Sequence, residues 1–115
     1  MDTIESNKLI AEFMEIELAA YDMVWLSEKL HMDLIKGRDY LEWAETKNVD
    51  NITYVCVDID YDWNWNWLMT VVKKIYSLGL DNENALLVRD AVAEANRKDA
   101  YQAVVEFIKT YNKEE

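Results

Sequence analysis

Proline is absent from these 115 residues, and glycine occurs only at Gly37 and Gly79. With so few breakers, long helices are expected, and their ends must be marked by side-chain caps and by changes of hydrophobic period. The two glycines also lie too far apart to form a phosphate-cradling loop, which needs them clustered. Cys56 is the single cysteine, so an intrachain disulfide framework and a thiolate metal cluster are both excluded. His31 is the single histidine, and no nucleophile stands at a recognisable spacing from it; Ser6, Ser27 and Ser77 all lack a nucleophile-elbow context. No apolar run approaches the roughly 18 residues of a membrane-spanning helix. Asp2 and Glu5 stand where a secretory leader would carry Lys or Arg. The expectation is a cytoplasmic protein without an enzymatic centre.

Cations are scarce as well. Twelve Lys and Arg face 23 Asp and Glu, a formal net charge of −11. Such a surface repels a phosphate backbone, so direct nucleic-acid binding is disfavoured, whereas a protein partner with a basic groove is attracted and its encounter is accelerated. Solubility is the competing explanation of the charge. What is abundant is apolar: 51% of residues, beside 30% charged, a balance suited to one folded domain spanning residues 1–115.

Along the chain, Asp2 and Glu5 form a capping box ahead of Leu9, Ile10, Phe13 and Met14, which predicts a helix over 3–15. Residues 16–26 are ambiguous: Ala19, Tyr21, Met23 and Trp25 alternate as a strand face, while Met23, Leu26, Leu30 and Leu34 fit a helix side. A strand up to Trp25 is favoured, then a helix from Ser27 as cap to Lys36, ended by Gly37. Asp39 and Glu42 predict a short helix with Leu41, Trp43 and Ala44, leading into a polar loop over 47–51.

Residues 52–61 are the clearest strand, with Thr53, Val55, Val57, Ile59 and Tyr61 on one face. Its backbone needs a partner, either the 16–25 segment or the same strand of a second copy. Asp62 or Asn64 caps a helix striped by Trp67, Leu68, Val71, Val72, Ile75 and Leu78, with Lys73, Lys74 and Ser77 toward water and Gly79 at its end. Leu87, Val88, Ala91, Val92 and Ala95 predict a helix over 84–95. Asn96 with Asp99 caps a last helix buried through Ala100, Tyr101, Val104, Phe107, Ile108 and Tyr111.

Asp58, Asp60 and Asp62 are spaced by two, so an extended chain would project all three from one side at about 7 Å intervals. A calcium loop is excluded, because Trp63 stands where its turn needs Gly and Met69 where it needs a bidentate Glu. No metal and no cofactor are expected; a solvated acidic rim is. In the run Trp63-Asn64-Trp65-Asn66-Trp67, Trp63 and Trp67 are one helical turn apart and are expected to pack together on the core, leaving Trp65 partly exposed. An indole ringed by carboxylates is what a hot spot against an Arg-rich groove requires. The partner-binding set expected on this basis is Asp58, Asp60, Asp62, Trp63 and Trp65. Cys56, mid-strand on an apolar face, reads as core packing.

Three blocks carry a family resemblance: Asn7-Lys8-Leu9-Ile10-Ala11-Glu12-Phe13-Met14, then Tyr61-Asp62-Trp63 with Trp67 through Ile75, and finally Tyr101 through Lys109 with Tyr111-Asn112. They resemble small acidic phage and prophage proteins of Bacteroidota. Thr70 departs from that group, which usually has Pro there. The resemblance implies an α+β fold, a predominantly helical single domain with helices packed on a small antiparallel sheet. It also implies a phage-type function, such as binding and inhibiting a host defence effector in the manner of an anti-CRISPR protein against an RNA-guided nuclease. The alternative is a non-enzymatic structural or regulatory phage protein that self-associates through the 52–61 strand, as a homodimer.

Overall fold

The computed structural model describes residues 2–20, 22–34, 45–80 and 82–114. Helix α1 covers Thr3–Phe13, and its cap is the one expected: the Asp2 carboxylate accepts the Glu5 N–H at 2.8 Å, satisfying one of the donors that a helix start leaves open. The expected strand over 16–25 is instead two antiparallel strands, β1 (Leu18–Ala20) and β2 (Met23–Ser27), with the chain reversing between them. The core face of β2 is Val24 and Leu26, which are 0% and 1% exposed, and not the Met23 and Trp25 face. Alternation discloses a period of two but not which of the two faces meets the helices.

Helix α2 (Glu28–Leu34) starts at Ser27, whose hydroxyl accepts the Leu30 N–H at 3.3 Å. Its expected end at Gly37 and the expected short helix around Asp39, Glu42 and Trp43 lie outside the described residues. The polar loop expected over 47–51 is corrected. Thr46–Val49 forms strand β3, joined to β4 (Ile52–Asp58) by a two-residue hairpin turn. Asp50 and Asn51 carry φ of 51° and 67°, the pair of left-handed residues that matches the twist of the flanking strands. Lys47 is tolerated in β3 because its Nζ lies 4.6 Å above the Trp25 ring and 2.6 Å from the Glu17 carboxylate.

Strand order is β1-β2-β4-β3, antiparallel throughout, with Val24 opposite Val57 and Leu26 opposite Val55. β4 is therefore an interior strand, and of the two partners expected for it the segment within the chain is the one that pairs, with β3 on its other side. The outer edges belong to β1 and β3. β4 also stops at Asp58 and not at Tyr61, because the Asp60 carbonyl accepts the N–H groups of Trp63 and Asn64 at 3.3 and 3.0 Å and turns the chain.

Three helices follow: α3 (Trp65–Ser77), α4 (Glu83–Ala93) and α5 (Arg97–Glu114). Asn64, Asn82 and Asn96 cap them by accepting the N–H groups of Asn66, Ala85 and Asp99. The α3 stripe of Trp67, Leu68, Val71, Val72 and Ile75 is buried as expected. Gly79, at φ 65°, follows the helix end in the conformation glycine tolerates best. Lys74 does not simply face water: its Nζ donates to the Phe13 carbonyl and sits 4.5 Å over that ring, placing a cation at the negative end of α1. On α4 the buried positions are Ala85, Val88 and Ala91, while Leu86 and Leu87 are 41% and 51% exposed; Ala95 leaves the helix at φ 56°.

One core joins the sheet face of Val24, Leu26, Val55 and Val57 to Ile10, Trp67, Val71, Val104 and Ile108. Tyr61 meets Trp67 edge-on at 5.2 Å between centroids. The architecture is α+β with helices predominant. Removing the Trp67 side chain, which is fully buried, would cost about 3–5 kcal/mol.

Candidate functional site

The turn from β4 into α3 gathers the residues singled out above. The register Met23 opposite Asp58, with the Ile59 N–H donating to the Asp22 carbonyl at 2.9 Å, puts Asp22 and Asp58 at the same end of the sheet. Asp58 is exposed, whereas Asp60 and Asp62 are half-buried. The three do not form a straight row, because the strand ends at Asp58 and the chain folds back. Asp60 accepts the Trp63 indole N–H at 3.2 Å. Asp62 accepts the Asn7 side-chain N–H at 3.0 Å.

The indole on display is Trp63, not Trp65. Trp63 is 42% exposed, Trp65 packs against the core in the first turn of α3, and Trp67 is wholly buried. Trp65 is half-buried, the partial exposure expected of it; the expectation failed at Trp63, which it placed inside the helix. The helix begins at Trp65, and Trp63 lies in the preceding turn, where the 3.6 period does not apply. Arg97 holds this segment from the other side, donating from Nη1 to the Trp63 carbonyl at 2.7 Å. The rim is thus acidic with one cation built into its backbone support.

Asn7 and Tyr101, like Arg97, were not assigned to the site by sequence reasoning, and they hold it in place. Asn7, only 4% exposed, donates to the Ile59 carbonyl at 3.2 Å and to Asp62, and accepts the Tyr101 hydroxyl at 2.9 Å. This network ties α1, α5 and the turn together. Its signal was present: Asn7 shares the helical stripe of Ile10 and Ala11, and a polar side chain among buried positions needs partners. Burial pushes the Tyr101 phenol up to about 12, with the charges of Asp62 and Asp2 adding and a Ser6 hydrogen bond opposing. Asn7 bridges that hydroxyl to Asp62, and the hydroxyl also reaches the Thr3 carbonyl at 3.5 Å, next in the chain to Asp2.

The other candidates for chemistry are placed elsewhere. His31 is 2% exposed, and burial lowers its pKa while Glu28 partly opposes the shift, which favours neutral imidazole. Cys56 is 5% exposed. Burial raises its thiol pKa, Glu45 and Asp58 add to that, and Lys47 opposes it; the thiolate is disfavoured. Among the described residues, no group of three or more His, Cys, Asp or Glu side chains is placed to hold a metal ion, and no helix is long and apolar enough to cross a membrane.

The arrangement offers a fixed, partly exposed indole among anionic groups, a surface able to bind cationic side chains. No family model matches the chain, and neither a curated protein nor a solved structure does.

Proposed function

We propose that this chain is a non-catalytic binding protein whose β4–α3 rim occupies a basic surface on a protein partner, one that otherwise contacts nucleic-acid phosphates. The partner class that the phage-protein resemblance implies is a host defence effector of the RNA-guided nuclease type, inhibited in the host cytoplasm. The observation that supports this reading best is Trp63: a large aromatic left 42% exposed, its indole N–H anchored on Asp60, in a chain of net charge −11. An exposed indole gives a partner's guanidinium a face to stack on, and Asp58, Asp60 and Asp62 supply complementary charge.

The test is competition. Purified RNA-guided nuclease is titrated with the chain, and guide-dependent cleavage and DNA binding are followed. The expected result is stoichiometric loss of both, weakening steeply as salt rises from about 0.05 M to about 0.5 M. Trp63→Ala should relieve inhibition by at least about tenfold, whereas Trp65→Phe should leave it within about twofold. Cleavage unchanged at saturating chain, or a Trp63→Ala variant as potent as the wild type, would remove the proposal.

A further inference from the structure

Helices α4 and α5 run antiparallel, joined by the short turn that contains Ala95. Along their outer seam lies a groove of about 450 Å³, distinct from the Trp63 rim. Its α4 wall is one helical stripe, Asn84, Leu87, Ala91 and Glu94, with Asp90 beside it; its α5 wall is Asp99, Gln102, Ala103 and Glu106. Ala91 and Ala103 keep the floor low, so another backbone can approach closely. Leu87, 51% exposed, offers an apolar contact that the chain's own core does not use.

Among the described residues, the walls carry four carboxylates and no Lys, Arg or His. Glu94 and Asp99 stand near the turn, Asp90 midway, and Glu106 toward the far end. Lys109 reaches only the last of these, as an exposed pair at 3.5 Å. Charge complementarity selects the occupant. A nucleic acid or an anionic lipid surface is repelled. A second copy of this chain brings the same net negative charge and is repelled too. The absence, among the described residues, of a metal-holding group of three or more acids argues against a bound divalent ion.

We infer that the α4–α5 groove docks an amphipathic helix of a protein partner, with an aliphatic stripe laid over Ala91, Ala103 and Leu87 and with Lys or Arg on both flanks. The α4 wall from Asn84 to Glu94 is about 15 Å long, room for roughly ten helical residues. Aliphatic contacts in the groove supply affinity, and the flanking cations supply register and encounter rate. This inference is independent of the Trp63 rim, so the two surfaces can fail separately.

The probe is a synthetic helix-forming peptide of leucine and lysine, about fourteen residues long, with leucine on one face. It is titrated into the isotope-labelled full chain and followed by amide chemical shifts. Saturable changes confined to residues 84–94 and 99–106 are expected. Asp90→Lys with Glu94→Lys should weaken binding by at least about tenfold, whereas Glu12→Lys with Asp33→Lys, the same change of net charge elsewhere, should leave it within about twofold. Leu87→Ala, at an exposed position that spares the fold, should weaken it by about threefold or more. Ala103→Trp fills the groove without altering charge and should abolish binding, with thermal unfolding checking that the variant folds. Equal binding by a scrambled peptide of the same composition, equal loss in the control pair, or shifts centred on Trp63 would each overturn the proposal.

Discussion

At the β4–α3 turn, acids are built into the fold: Asp2 caps α1, Asp60 holds an indole N–H, and Asp62 receives Asn7. Along the α4–α5 groove, the carboxylates of Asp90, Glu94 and Asp99 are exposed and receive no hydrogen bond among the described residues. Both regions are acidic, but in the first the charge has a structural task, and in the second only Glu106 is engaged among the described residues, by Gln102 and Lys109. Removing an acid at the turn therefore tests stability and binding together. Reversing one in the groove tests binding almost alone. Sequence composition counts these carboxylates alike; hydrogen-bond geometry separates them.

That contrast orders the expected stability effects. Among these polar groups Asn7→Ala should be the largest, a loss of about 3 kcal/mol in denaturant unfolding, because it removes the 2.9 Å acceptor of the Tyr101 hydroxyl and the donor to the buried Ile59 carbonyl. A loss under about 1 kcal/mol would mean that water replaces the network. Tyr101→Phe comes next, about 1 kcal/mol at neutral pH, chiefly for the lost 2.9 Å bond to Asn7, the bond to the Thr3 carbonyl being long at 3.5 Å.

That variant also carries a pH signature. The Tyr101 phenol has a folded value of about 12 against an ordinary 10, so its contribution is fully present below pH 10 and is lost as pH rises through 10 toward 12. Wild type should lose stability over that window more steeply than Tyr101→Phe, as read from chemical unfolding at successive pH values. Asp2→Ala should cost about 1 kcal/mol through the lost cap, and, because the Asp2 charge helps raise the Tyr101 phenol, it should make the alkaline loss slightly shallower than in wild type.

Ala95→Gly should stabilise by about 0.5–1 kcal/mol, since Ala95 holds φ 56° where glycine has no Cβ penalty; a thermal shift assay suffices. The smallest effect belongs to the groove: Asp90→Lys with Glu94→Lys should move stability by no more than about 0.5 kcal/mol in either direction. If this pair destabilises as much as Asn7→Ala, the distinction between the two regions fails.

The elements differ in how legible they were, and for physical reasons. Helices α3 and α5 bury continuous stripes, so the 3.6 period and the Asn caps located them. β4 was recognised because its Val55 and Val57 face one way, a pattern that Ile59 continues just past the strand. β3 was read as a loop because an edge strand tolerates Lys47 and Asn48, and because the turn Asp50-Asn51 uses left-handed residues other than glycine. The separation of β1 from β2 escaped the alternation pattern, which continues in phase across the reversal. At the site, the three carboxylates and the aromatic run were recognised as a group. The exposure of Trp63 was missed because a two-residue difference in where α3 begins decides whether that indole lies in the helix or in the turn before it.

Local chemistry alone determined the helix caps, the apolar stripes, the strand faces and the excess of negative charge, since each depends on neighbours within about two turns. Strand order, the pairing of β4 on both edges, the Asn7–Tyr101–Asp62 network and the groove between α4 and α5 were decided only by tertiary structure. Each brings together groups far apart along the chain, and the free energy of burying one shared core, not any local preference, selects which of them meet.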